Sequence, residues 1–236
     1  VRSSNGKVID TAIDRSNGYR VVVIDDHEMF GAALIIALRD RGIQAQKVPV
    51  VGLAEFAARP CEARSGVVVL DLYLGATPDG RRIRGRDWIA RLRDQGWSVL
   101  AVTGSEQDAD FAAAIAEGAA GAVSKSSRLE VLLDAVALTL NGEPLLTDGE
   151  RLDWEARHNL GRMRRQQVEE RLTRLSARER EVLESIARGR RAMDIAEQSL
   201  VSITTVRAHI RSILVKFEVN SQIEAVALLR QCSDVI

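Results

Sequence analysis

The sequence predicts an α/β domain built on a parallel sheet, followed by a small all-α domain. Three observations lead there. Runs of β-branched residues alternate with helix-patterned segments five times before residue 141, which is the pattern of a parallel sheet with helices on both faces. At 236 residues the chain exceeds the roughly 100 to 150 residues typical of one domain. Its charge is also unevenly spread, although the formal net charge is zero: residues 1–149 hold 17 Lys and Arg against 20 Asp and Glu, residues 150–170 hold 5 against 5, and residues 171–236 hold 11 against 8. An acidic first part and a mildly basic last part imply different partners for each.

In order, a polar tail of about 18 residues precedes a buried strand at Arg20 to Asp25. A helix follows over Glu28 to Arg39, with Phe30, Leu34 and Leu38 four apart on one face. A second strand and helix are expected at Ile43 to Val48 and Leu53 to Ala58. The third strand, GVVVLDLYL from Gly66 to Leu74, contains Asp71, and a Gly/Pro-containing, arginine-rich loop from Gly75 to Gly85 comes next. The remaining expectations are a helix over Arg86 to Asp94, a strand over Ser98 to Val102, a helix over Gln107 to Glu117, a strand near Gly121 to Val123 and a helix over Arg128 to Leu140. Ser105 with Asp108, and Ser127 with Glu130, have capping-box spacing at two of these helix starts.

In an open parallel sheet the C-terminal ends of the strands face one crevice. Here they present Asp25 and Asp26, Asp71, Thr103 and Lys125. Such a set suits phosphoryl transfer to a carboxylate. An aspartate can hold a phosphoryl group as an acyl phosphate, Mg²⁺ favours carboxylates beside phosphate oxygens, and a lysine and a hydroxyl can bind the phosphoryl oxygens. Taken singly, Asp25 and Asp26 also read as helix caps, Thr103 as a turn residue and Lys125 as a surface charge. GATPDGRR, from Gly75, mimics a phosphate-binding P-loop but has Arg81 and Arg82 where Lys and Ser or Thr are required, so a nucleotidase reading is rejected.

Asn141 to Pro144 breaks the helix before it, and the charge-dense stretch from Gly149 to Thr173 has apolar residues at roughly helical spacing. It reads equally as a helical connector or a solvated spacer. Beyond it, Ser176 with Glu179 caps a helix that ends at Gly189. Met193 to Gln198 forms a short second helix, and Ser202 caps a third over Ile203 to Phe217. On that third helix Ile203, Val206, Ile210, Ile213, Leu214 and Phe217 make the buried stripe, leaving Arg207, Ala208 and Arg211 together on another face. Ser221 with Glu224 caps the last helix. The pattern fits a helix-turn-helix DNA reader or a plain four-helix bundle with a basic face.

The motifs VVVIDDHEMF (21–30), VVVLDLYLG (67–75), VLAVTGS (99–105) and GAAGAVSKS (118–126) resemble the receiver domains of bacterial two-component response regulators, with a flavodoxin-like (βα)5 fold, over residues 19–140. LSAREREVLESIARG (175–189), DIAEQSL (194–200), SITTVRAHIRSILVKFEV (202–219) and SQIEAVAL (221–228) resemble the LuxR-type helix-turn-helix domain, over residues 172–231, with 141–171 as a partly helical linker. Together they are similar to response regulators of the NarL/FixJ class. The resemblance implies that Asp71 is the phosphoacceptor, with Asp25, Asp26, Asp71 and the Tyr73 carbonyl binding Mg²⁺ and Thr103 and Lys125 contacting the phosphoryl group. It implies DNA contacts from Ser202, Thr205, Arg207, Ala208, Arg211 and Lys216, and dimer contacts from Ile223 and Val226. Many receivers have an aromatic residue three positions before the lysine; here that position is Ala122.

The implied function is a DNA-binding transcriptional regulator, phosphorylated on Asp71 by a sensor histidine kinase and acting as a homodimer on double-stranded DNA. Ala122 favours an alternative in which the first domain is a phosphorylation-independent docking module. No nucleophile triad or cofactor loop suggests an enzyme. Cys61 and Cys232 read as reduced thiols, no run reaches the roughly 18 apolar residues of a membrane span, and the expected location is cytoplasmic.

Overall fold

The computed structural model describes residues 20–61, 66–77, 80–104 and 108–232. Its chain divides into two compact units, Val1–His158 and Asn159–Ile236.

In the first unit the elements are β1 (Val21–Ile24), α1 (Glu28–Asp40), β2 (Ala45–Lys47), α2 (Leu53–Phe56), β3 (Gly66–Asp71), β4 (Tyr73–Ala76), β5 (Arg82–Arg84), α3 (Ile89–Asp94), β6 (Trp97–Thr103), α4 (Asp108–Ala116), β7 (Gly121–Ser124) and α5 (Leu129–Leu140). Five strands form one parallel sheet in the order β2-β1-β3-β6-β7. This is the strand order of the flavodoxin-like fold that the resemblance implies, with its topological switch between β1 and β3. The central strands β1, β3 and β6 read as nearly continuous apolar runs because both faces are covered. Val22, Ile24, Val68, Leu70, Val99 and Ala101 meet Leu53, Phe56, Ile89, Leu92 and Ala114 on one face. Their neighbours in sequence, Val21, Val23, Val67, Val69, Leu100 and Val102, meet Leu34, Leu38, Leu132, Leu133 and Val136 on the other. A period of two along each strand thus sorts one set of valines into two cores.

Two expectations change. The predicted loop from Gly75 to Gly85 contains part of an antiparallel hairpin, with Tyr73 opposite Arg84 and Ala76 opposite Arg82. Thr77 closes it: its amide and hydroxyl donate to the Arg81 carbonyl at 2.8 and 3.0 Å, and its hydroxyl accepts from the Arg81 amide at 3.1 Å. The register slips between Tyr73 and Ala76, where Gly75 takes φ +76°. Second, Ser127 does not cap α5. Its amide turns back to the Ser124 carbonyl at 3.0 Å, and Arg128 occupies the N-cap with no side-chain bond. The Ser105 cap lies outside the described residues.

α6 (Asp148–Thr173) is one helix through Gly161, so the connector is helical throughout. Its first turns pack within the first unit: Trp154 meets Phe111 of α4 edge-on at 6.2 Å, and Arg157 pairs with Asp108 at 3.1 Å. In the second unit α7 (Ala177–Ala187), α8 (Ala192–Gln198), α9 (Ile203–Phe217) and α10 (Gln222–Cys232) enclose a core of Val168, Leu175, Val182, Leu183, Ile195, Val206, Ile210, Ile213 and Phe217. The Ser176 and Glu179 capping box forms as predicted. Among the described residues no helix is long and apolar enough to cross a membrane.

Candidate functional site

The sheet edge at the β1 and β3 ends gathers the predicted polar residues. Asp25 follows β1, Asp71 ends β3, Thr103 ends β6, and Lys125 follows β7. Asp25 and Asp71 are each only 2% exposed and Thr103 is fully buried. The Lys125 ammonium donates to Asp71 Oδ2 at 2.7 Å and pairs with Asp25 Oδ2 at the same distance, so it bridges the two acids. Its backbone amide donates to the Thr103 carbonyl at 2.8 Å, which fixes β7 against β6 just above the pocket.

Each buried acid divides its oxygens between two tasks. Asp25 Oδ1 accepts from the His27 amide at 2.7 Å, and Asp71 Oδ1 accepts from the Tyr73 amide at 3.1 Å. Such bonds to the amide two residues on hold a turn. The second oxygen of each is left aimed at Lys125.

Asp26 is less buried, with its side chain 31% exposed, and His27 Nδ1 lies 2.8 Å from Asp26 Oδ1, 3.4 Å from Asp25 Oδ1 and 3.8 Å from Asp71 Oδ2. One ligand atom from each of Asp25, Asp26, His27 and Asp71 falls within 4.8 Å of every other. Sequence reasoning alone misses His27, whose only signal is adjacency to the acid pair. Close packing of the hairpin shapes the rim. A Cβ on Gly85 would come 1.9 Å from the Asp71 carbonyl oxygen, and one on Gly75 would come 3.3 Å from Asp26 Oδ2.

Burial is the largest influence on Asp71 and pushes its carboxyl above the ordinary range. The Lys125 and Tyr73 bonds pull it down and the Asp25 charge adds to the rise. For Lys125 burial opposes the charge, but hydrogen bonds to Asp25 and Asp71 outweigh it and hold the ammonium above its usual range. Burial thus raises the proton affinity of Asp71, which sits beside an ammonium that its two carboxylate partners keep charged.

In the second unit Arg207, Ala208 and Arg211 share an exposed face of α9, together with Val215, which is 73% exposed. Ser202 Oγ accepts from the Thr205 amide at 3.1 Å and lies 2.8 Å from Thr205 Oγ1, so both hydroxyls serve the helix cap. Lys216 donates to Glu179 Oε2 at 2.6 Å, and in this structure its ammonium is committed to that buried acid. Ile223 is 82% exposed on α10, whereas Val226 packs partly onto the core.

Residues 21–137 match the family model of the response regulator receiver domain, and residues 173–229 match that of bacterial regulatory proteins of the luxR family. Over 221 residues the chain is 31% identical to the probable transcriptional regulatory protein NarL of Mycobacterium tuberculosis, covering 88% of this chain and 92% of that one. It is 29% identical over 214 residues to the nitrate/nitrite response regulator protein homolog of Haemophilus influenzae, covering 89% and 95%. It is 28% identical over 221 residues to the nitrate/nitrite response regulator protein NarP of Escherichia coli, covering 90% and 95%.

Proposed function

Because this chain belongs to the NarL/FixJ class of response regulators, which join a receiver domain to a LuxR-type DNA-binding domain, we propose that Asp71 accepts a phosphoryl group from a sensor histidine kinase and thereby regulates DNA binding by α9. The observation that supports this best is the pairing of the buried Asp71 with both the Lys125 ammonium and a cluster of acids. An Asp71 carboxylate oxygen attacks the phosphorus, the P–N bond to the kinase's phosphohistidine breaks, and the electron pair leaves on the imidazole nitrogen, which takes up a proton. Lys125 then exchanges its bond to Asp71 for one to a phosphoryl oxygen, and the Thr103 hydroxyl donates to another.

The donor set fits Mg²⁺. Three carboxylates converge with a single ammonium between them, and this ion prefers such oxygens to the neighbouring imidazole. Asp25, Asp26, Asp71 and the Tyr73 carbonyl would hold it, and when bound it supplies charge neutralisation at the phosphoryl oxygens. In the second unit the exposed Arg207 and Arg211 supply charge for a DNA duplex, Ala208 lies between them, and Ser202 and Thr205 fix the N-terminus of the same helix. Lys216 joins the phosphate contacts only by leaving Glu179. The exposed Ile223, with Val226 beside it, provides the contact for a homodimer on DNA.

The test is to incubate the whole chain with a small phosphoryl donor and Mg²⁺ and to measure intact mass. One phosphoryl group is expected on the wild type, and none on Asp71→Asn or in the presence of a chelator. Equal uptake by Asp71→Asn would place the phosphoryl group elsewhere. DNA binding that never depends on the donor would favour the docking reading suggested by Ala122.

A further inference from the structure

We propose that Tyr73 is a positioning residue that carries the phosphorylation state of Asp71 into α4 and the first turns of α6. The proposal rests on Asp71 being the phosphoacceptor. Tyr73 reaches from the site to α4. Its amide donates to Asp71 Oδ1 at 3.1 Å, and its hydroxyl donates to the carboxylate of Asp110, 3.0 Å from each oxygen, in the first turn of α4. That turn is in turn tied to α6. Asp108 accepts from Arg157 at 3.1 Å, the Phe111 and Trp154 rings lie 6.2 Å apart at 66°, and the Arg157 guanidinium sits 5.0 Å over Trp154. Arg151, on the same helix, donates at 3.2 Å to the carbonyls of both Ala119 and Ala120 in the segment that leads from α4 into β7.

The alternative carrier is missing. Ala122 on β7 has a single methyl group, packed against the sheet core, and cannot reach from the pocket to a helix. Tyr73, just past the end of β3, spans that distance instead.

Phosphorylation turns the carboxylate that holds the Tyr73 amide, which carries about one negative charge, into an acyl phosphate carrying about 1.5 to 2, now borne on the phosphoryl oxygens. The turn reorganises around the new oxygens, the hydroxyl is drawn off Asp110, and the first turn of α4 loses one of its outside anchors. Arg157 and Trp154, which rest on that turn, then loosen with it. The path consists of contacts, and its coupling has to be measured directly.

Hydrogen exchange by mass spectrometry on the full chain provides that measurement, read at peptides within 108–116 and 148–158, with phosphoryl uptake measured in every sample. In the wild type, a phosphoryl donor with Mg²⁺ is expected to raise exchange severalfold in both peptides. Asp110→Ala is expected to take up the phosphoryl group, to show the raised exchange before any donor is added, and to change no further afterwards. Without donor, Tyr73→Phe should match it, since only the hydroxyl is removed. The proposal is overturned if phosphorylated Asp110→Ala still gives the full wild-type response, or if donor-free Tyr73→Phe exchanges as the wild type does. No uptake by the wild type would overturn the phosphoacceptor reading itself, and the coupling with it.

Discussion

Replacing Glu179 by alanine removes the acceptor that ties the N-terminus of α7 to α9. Its carboxylate, on a side chain only 6% exposed, takes bonds from the Ser176 amide at 2.7 Å, Ser212 Oγ at 2.6 Å and Lys216 Nζ at 2.6 Å. Burial alone would raise its pKa, but the bonds from Lys216, Ser212 and Ser176 outweigh it and hold the group at about 2, against an ordinary 4.5. At about 1.4 kcal/mol per unit, that difference corresponds to roughly 3 kcal/mol of folding free energy at neutral pH. Lys216, with 34% of its side chain exposed, regains some hydration when the acid is removed, so we expect a loss of about 2 to 3 kcal/mol, or roughly 10 to 20 °C in the melting of so small a unit. Because the folded pKa is depressed, the contribution is fully present above pH 4.5 and is lost as pH falls toward 2. Urea unfolding resolves it. Trp88, Trp97 and Trp154 all lie in the first unit, so helix loss by circular dichroism that is not matched in tryptophan fluorescence reports the second. A Glu179→Ala protein within about 0.5 kcal/mol of wild type at pH 7, or with the same loss of stability between pH 5 and 2, would refute the reasoning.

Two further outcomes are expected. Gly85→Ala forces a methyl group to within 1.9 Å of the Asp71 carbonyl oxygen; the backbone must move, at a cost of about 1 to 3 kcal/mol, and phosphoryl uptake falls with it. Fluorescence-monitored unfolding and intact mass check this, and a variant unchanged in both would mean that the hairpin does not hold the site. Removing Arg207 and Arg211 together should weaken binding to any DNA duplex and make the slope of log affinity against log salt shallower by about 1 for each phosphate no longer neutralised; an unchanged affinity and slope in a salt series would remove α9 from the interface.

The doubly covered sheet was legible because its strands can only be apolar: VVVI in β1 and GVVVLD in β3 have no solvent-facing positions to fill with polar residues. The pocket was legible for the same reason, since Asp25, Asp71 and Lys125 stand out at the ends of such runs. The hairpin was not. Its strands, YLGA and RIR, are too short to show a period, and its register depends on bonds from Thr77 and on the fit of Gly85 against Asp71, neither of which has a sequence pattern. The partner of Lys216 was hidden as well. Glu179 announces itself as a capping-box acid on α7, and only folding brings it to an ammonium 37 residues away. Ser127 shows the converse, a capping pattern present in sequence and displaced by a competing turn.

The ammonium that bridges Asp25 and Asp71 gives the pocket an internal counter-ion. Two carboxylates shut away from water would otherwise repel each other and resist closure of the sheet edge. Because the neutralising charge is supplied from within the chain, closing the sheet edge over these acids requires none from outside it.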